Sequence, residues 1–260
     1  MTQQIEIESV SMTYRSKTGD DIVALNNVDL AIGDQEFVTL VGPSGCGKST
    51  LLKLMARLIE PTHGQLNLAG RPHTQPSRDI GIVFQDAVLL PWRNIIDNVL
   101  LPIEILGLDN HVYRKRAMEL LDLVGLQGFE KRMPKELSGG MQQRTAICRA
   151  LIHDPDVLLM DEPFAALDAM TREELGLELM RIWDENKKTI VFVTHSIPEA
   201  ILLADRVVVM TPRPGQIAEI IDIDLKRPRT LDMEFSPAFK KYSDRVRSLI
   251  YTRDKTVPSR

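Results

Sequence analysis

Val38–Val41 is a short apolar run that leads straight into Gly42-Pro43-Ser44-Gly45-Cys46-Gly47-Lys48-Ser49, after which Leu51, Leu52, Met55, Leu58 and Ile59 recur at helical spacing. The run reads as a buried strand and the spacing after it as one face of an amphipathic helix. Pro61 is predicted to stop that helix. Four residues separate Gly42 from Gly47, and Lys48 and Ser49 follow at once, which is the pattern of a phosphate-binding loop. Glycines let the backbone turn its N–H groups inward into a concave nest for a polyphosphate, and the helix behind presents its positive end to the same phosphates. Lys48 adds a point charge near the β and γ phosphates, and Ser49 offers a hydroxyl to Mg²⁺. A chance glycine-rich turn would not be expected to carry both the buried strand before it and the amphipathic helix after it.

Outward from this loop, residues 4–41 read as strands, with Ile5, Ile7 and Ser9 alternating against Glu6 and Glu8. Ile80–Phe84, Val157–Met160, Ile190–Thr194 and Val207–Met210 are further buried-strand candidates. Strands alternating with helical segments predict a mostly parallel α/β sheet. Residues 90–135 differ. Asp109 can cap a helix carrying Tyr113, Ala117, Leu120, Leu121 and Val124, with Gly125 as its stop. Before it, Asn94–Leu106 is a second helix candidate in which Pro102 must begin, kink or end something. This stretch predicts a small helical subdomain, about residues 90–150, inserted in the α/β core.

The 260 residues are 43% hydrophobic and 26% charged, values that exclude disordered, collagen-like and disulfide-scaffold classes. A net charge of −4 is no footprint for nucleic acid. Cys46 and Cys148 lie far apart, fit no metal-ligand spacing and point to a reducing compartment. The N-terminal residues have neither the basic start nor the apolar run of a secretory signal, and no apolar stretch reaches the roughly 20 residues of a membrane span. A soluble, cytoplasmic chain is therefore expected. Charge is uneven: Lys226–Arg260 holds ten Lys/Arg and four Asp/Glu, which is +6 against −10 for the remainder. That segment reads either as a solvated helical surface or as a contact with an acidic partner or lipid headgroups.

Two further stretches carry chemistry. Val157–Met160 ends in Asp161-Glu162, two carboxylates at the end of a strand where α/β proteins bind ligands. Asp161 there would hold Mg²⁺, directly or through water, and Glu162 could take a proton from an attacking water. Leu137-Ser138-Gly139-Gly140-Met141-Gln142 opens a helix and makes a second anion cradle. One nucleotide is already neutralised by the first loop, so a second cradle is surplus unless it serves a nucleotide held by another copy of the chain.

Together with Ala166-Leu167-Asp168 and Thr194-His195, these motifs closely resemble the ATPase subunit of ABC transporters, over about residues 4–225. The resemblance implies an α/β fold: a P-loop NTPase core with mostly parallel sheet, an N-terminal antiparallel β part and the inserted helical subdomain. The ATPase domain would cover 1–225 and a basic, helical extension 226–260. ATP and Mg²⁺ are the implied ligands. Gly42, Pro43, Ser44, Gly45, Cys46, Gly47, Lys48, Ser49 and Thr50 would hold the phosphates, with Tyr14 on the adenine. A strand tyrosine is also commonly plain packing. Ser49, Gln85 and Asp161 would contact Mg²⁺, Glu162 would be the general base, and His195 would reach the γ-phosphate. His63, His73, His111 and His153 read as ordinary core or surface histidines. Ser138, Gly139, Gly140 and Asp168 would face a second copy in an ATP-sandwich dimer.

Leu89-Leu-Pro-Trp92 and Thr211-Pro-Arg-Pro-Gly215 are similar to the ATPases of nitrate, sulfonate and taurine importers, although Trp92 reads equally as a packed subdomain residue. The partners implied are integral-membrane permease subunits and an extracytoplasmic solute-binding protein, with no nucleic acid. The expected location is peripheral, on the cytoplasmic face of the inner membrane. Two alternatives fit less of the sequence. An ABC ATPase acting on DNA or ribosomes usually brings long coiled coils, cysteine pairs or a second cassette. A small-molecule P-loop kinase leaves Leu137–Gln142 unexplained.

Overall fold

The computed structural model describes residues 3–15, 19–165 and 167–251; Ala166 and the last nine residues of the basic segment lie outside the described residues. In chain order the elements are β1 (Gln3–Tyr14), β2 (Ile22–Gly33), β3 (Phe37–Val41), α1 (Lys48–Met55), β4 (His63–Leu68), β5 (Arg71–Pro72), β6 (Ile80–Val83), α2 (Ile95–Val99), α3 (Leu101–Ile105) and α4 (Asn110–Leu123). They continue with α5 (Gly139–Leu151), β7 (Val157–Asp161), α6 (Ala169–Asn186), β8 (Thr189–Val193), α7 (Ile197–Leu203), β9 (Arg206–Met210), β10 (Ile217–Asp222) and α8 (Pro237–Tyr251). Two compact units result: one from residues 1–77 and 187–260, the other from 78–186.

The first unit contains an antiparallel sheet in the order β2-β1-β4-β5. The strict alternation expected along β1 holds only to Ile7. Ser9 is exposed at φ 50°, and its N–H donates to Asp29 Oδ1 at 2.6 Å. The register with β2 shifts between Ile7 and Val10, so Val10, not Ser9, is the next residue buried after Ile5 and Ile7. This is a β-bulge, which inserts a residue and exchanges the faces beyond it. In the same unit β3 pairs in parallel with β8 and β9, and β10 runs antiparallel to β9. All five residues of β3 and of β8 are buried, as parallel strands require. Leu40 faces Val193 and Val41 faces Val209, so the segments after all three strands emerge at one carboxyl edge.

Helix α1 ends at Met55, well before Pro61, and Leu58 is 47% exposed instead of lying on the apolar face. Arg57 takes the left-handed conformation at φ 54°, and Leu58 N–H donates to Lys53 O at 3.0 Å. That is the helix-ending geometry usually given to glycine. Buried His73 explains the early stop: its Nε2 lies 2.9 Å from Met55 O, and its own carbonyl accepts from Arg57 Nε. Burial lowers the pKa of His73, favouring the neutral ring in this role.

The basic C-terminal segment is only partly a solvated surface. Arg229 is buried and donates to five carbonyls, those of Ile201, Leu202, Ala204, Ile223 and Leu225, at 2.6–3.2 Å. The first three belong to the end of α7, where carbonyls have no partner within the helix. Arg227 pairs with Asp205 and Leu203 O, while Lys240, Lys241 and Arg247 on α8 are exposed. Arg229→Leu is expected to cost about 3 kcal/mol by stranding those acceptors. Thermal denaturation would show it, and an unchanged midpoint would contradict the anchoring role.

In the second unit β6 and β7 pair in parallel. Its helical core gathers Ile95, Val99, Ile103, Ala117, Leu121, Val124 and Leu126. Pro102 begins a helix: α2 ends at Val99, and Pro102 sits in the first turn of α3. Asp109 caps α4 by accepting from His111 N–H at 2.8 Å, and Gly125 at φ 70° follows its end.

Candidate functional site

The phosphate loop leaves β3 at Gly42 and enters α1 at Lys48. Lys48 is only 4% exposed, and its ammonium donates to Gly42 O at 2.9 Å and Pro43 O at 3.1 Å. A buried ammonium needs such partners, because desolvation without them costs several kcal/mol. Gly47 precedes the helix at φ 107°, and a Cβ there would lie 2.6 Å from Leu25 Cδ2 and 3.0 Å from Ala24 O. Neither conformation nor space admits another residue. Cys46 is buried, which pushes its thiol up despite Lys48 beside it, so the loop lining gains no thiolate at neutral pH. The hydrogen-bond ladder of α1 starts with Leu51 N–H on Gly47 O at 2.8 Å. The N–H groups of Lys48, Ser49 and Thr50 lie ahead of it, at the helix's positive end.

Tyr14 closes β1 beside this loop. It is 39% exposed, with its hydroxyl 3.4 Å from Thr50 Oγ1, which places it beside the end of the loop. His195 follows β8 at the same carboxyl edge and is exposed. Its neighbour Thr194 orders the turn, donating to Glu199 Oε2 at 2.6 Å and accepting from Ser196 N–H at 2.9 Å.

The second unit gathers the other candidates. Val83 and Met160 are register partners, so Gln85 and Asp161-Glu162 leave β6 and β7 at the same end of that pair. Asp161 is buried at 8% exposure, and Glu162 adopts φ 47°. Ser138 caps α5, its hydroxyl oxygen accepting from Met141 N–H at 3.3 Å. A hydroxyl that accepts from the helix still has a proton to donate. Gly139 has open space where a Cβ would be, while one on Gly140 would meet Leu167 at 3.2 Å. Asp168 accepts from Thr171 N–H at 3.0 Å and from its hydroxyl at 2.7 Å, and these bonds hold its carboxyl below the usual range. Trp92 is 72% exposed and is not a packed subdomain residue.

The ABC transporter family profile matches residues 25–165, which include the phosphate loop, Ser138–Gly140 and Asp161-Glu162. This chain belongs to the ABC transporter ATP-binding family. An ABC transporter ATP-binding protein of Methanocaldococcus jannaschii, MJ0412, is 45% identical over 100% of this chain and 95% of its own. The taurine import ATP-binding protein TauB of Rhizobium johnstonii is 42% identical over 96% of this chain and 97% of its own. The aliphatic sulfonates import ATP-binding protein SsuB of Bacillus cereus is 43% identical over 91% and 93%. Among solved structures, the dimeric ABC transporter cassette MJ0796 matches with a TM-score of 0.77 at 34% identity, covering 85% of this chain and all of that one. The same cassette in a post-hydrolysis state bound to ADP and Pi matches at 0.76.

Several contacts around these sites carry little signal in the sequence. Gln143 donates to Phe84 O at 3.0 Å, and Arg149 donates to Ala87 O and Val88 O at 2.8 Å, so α5 holds the segment that carries Gln85. Both contacts join residues about 60 apart, with no sequence signal beyond a polar residue on a mostly buried helix face. Arg213 and Gly215 meet the phosphate loop from another strand end. Lys48→Ala removes the one buried cation of the loop. ATP affinity is expected to fall about 10–100-fold, the worth of a charge-assisted contact. Isothermal titration would measure it, and unchanged affinity would place the phosphates elsewhere.

Proposed function

We propose that this chain is the ATP-binding and ATP-hydrolysing subunit that powers solute import through a separate membrane permease, with a small anion or sulfonate-like compound as cargo. The observation that carries the mechanism is the presence of two phosphate cradles in one chain, Gly42–Ser49 and Ser138–Gly140. The dimeric state of the matched cassette and the import roles of TauB and SsuB support the reading. Two copies sandwich two ATP molecules. Each site joins Gly42–Thr50, Tyr14 and Glu162 of one copy to Ser138–Gly140 of the other, and Asp168 faces the opposing copy.

Lys48 and the loop N–H groups bind the phosphates, Tyr14 stacks on the adenine, and His195 reaches the γ-phosphate. Glu162 accepts a proton from the attacking water, and closure excludes bulk solvent. Ser49, Gln85 and Asp161 would hold Mg²⁺, which supplies charge neutralisation when bound. The fit rests on the chemistry of the donors: a hydroxyl, an amide oxygen and a buried carboxylate are the hard oxygen ligands this ion takes. Among the described residues no group of three or more His, Cys, Asp and Glu forms a metal cage of its own.

The ATPase domain spans 1–225 and a basic extension follows at 226–260. A coupling helix of the permease sits near Gln85 and the helices of residues 90–135. An extracytoplasmic solute-binding protein completes the complex, and the subunit is peripheral on the cytoplasmic face of the membrane. No described helix is long and apolar enough to cross a membrane.

Glu162→Gln keeps size and hydrogen bonding but loses the proton acceptor. Steady-state hydrolysis is expected to fall about 10²–10⁴-fold with ATP binding retained. Turnover within a few-fold of the parent would remove Glu162 from the role of base. Ser138→Arg is expected to abolish hydrolysis while the isolated monomer binds ATP almost as before. If that variant stays folded yet loses ATP binding as a monomer, the cradle acts within one chain and the sandwich fails.

A further inference from the structure

Thr211–Gln216 connects β9 to β10 and packs against the phosphate loop. Arg213 donates to Gly45 O through Nε at 3.2 Å and through Nη2 at 3.1 Å. At the other end of the same peptide, Cys46 N–H donates to Pro43 O at 3.3 Å, the carbonyl that also takes Lys48. A trans peptide directs its C=O and N–H to opposite sides. The guanidinium therefore grips the loop from outside, and Cys46 N–H faces its interior.

Gly215 supplies a second contact. A Cβ there would lie 2.0 Å from Cys46 O and 3.1 Å from Leu25 Cδ2, so only glycine allows this approach. Gly215 is itself fixed, its N–H on Ala24 O at 2.9 Å and its carbonyl on Asn26 N–H at 3.0 Å. Leu25 also packs on Gly47, so residues 24–26 form one wall shared by both ends of the arrangement. Thr211 closes the connection across its base, donating to Gln216 O at 2.9 Å and accepting from Gln216 N–H at 3.0 Å. Arg213 is thus presented from a short closed loop whose ends are tied.

We propose that Arg213 and Gly215 are positioning residues of the nucleotide site: they hold the Gly45–Cys46 peptide so that the loop meets the phosphates already shaped. This rests on the reading of residues 42–49 as the ATP site. Gly45 is exposed at φ 72°, and Ser44 before it is exposed too, so little packing restrains this stretch of the loop. Ordering that peptide before binding removes an entropic cost that the ligand would otherwise meet. Arg213 does not touch the nucleotide in this scheme, so its effect falls on every ligand that uses the loop, whatever its γ-phosphate.

The test uses the full chain and fluorescent ATP and ADP analogues, with amide exchange over residues 43–48 measured without nucleotide. Arg213→Met, which keeps the length of the side chain and removes its donors, is expected to weaken ATP and ADP by the same factor, about three- to tenfold, and to speed exchange in that stretch. Arg213→Lys, which keeps a donor, should recover part of both effects. Gly215→Ala should weaken both nucleotides in the same ratio, since its Cβ presses on Cys46. Loss confined to ATP would make Arg213 a γ-phosphate ligand and overturn the proposal. So would unchanged affinity and exchange, or a lowered melting temperature with the folded fraction binding normally. Failure of the unmodified chain to bind either nucleotide would instead overturn the ATP-site reading itself.

Discussion

A polyphosphate brings several negative charges into a confined space, and main-chain N–H groups can answer them only where the backbone turns tightly enough to converge. The chain meets that constraint in the six positions between β3 and α1, with Gly45 at φ 72° and Gly47 at φ 107°. The turn is costly to hold, because its one ammonium is buried and its glycines carry no side chains to pack. Its surroundings provide what it lacks. The loop's own Gly42 and Pro43 carbonyls satisfy Lys48, while from outside it Leu25 walls off Gly47 and Arg213 holds Gly45. The two outer supports come from distant points in the chain, so the loop depends on the strands around it being correctly paired.

That dependence explains why the sheet matters more than any single motif. In the first unit the parallel register of β3 with β8 and β9 brings the phosphate loop, His195 and the Arg213 connection to one edge. In the second, the β6–β7 register brings Gln85 to the same end as Asp161 and Glu162. Carboxyl ends of parallel strands are where such folds keep their ligands. Each functional segment is also tied to the body of its unit. Arg149 and Gln143 restrain the stretch after β6, and Thr194 sets the turn before α7.

Much of this was legible in the sequence because it is encoded locally. A continuous apolar run marks a buried strand, and Asp109 and Gly125 mark the ends of a helix whatever surrounds it. The misreadings have tertiary causes. Ser9 leaves the alternating face because Asp29 captures its N–H across the sheet. Helix α1 stops early because His73, from a distant strand turn, takes Met55 O and Arg57 at the helix end. Arg229 goes inside because five carbonyls collect around it. Arg213 belonged to a recognisable stretch, but its place beside the phosphate loop follows from β9 neighbouring β3, and strand order is not written in any one segment.

The proposed sandwich requires that the second cradle at Ser138–Gly140 complete a nucleotide site on another copy. The most direct measurement is the molar mass of the Glu162→Gln chain in solution, by light scattering, with bound nucleotide counted in the same sample. Saturated with Mg²⁺ and ATP, the chain should double its mass and hold one ATP per chain, and with ADP it should return to the single-chain mass. A single-chain mass at full ATP occupancy, across concentrations well above those of the titration, would contradict it.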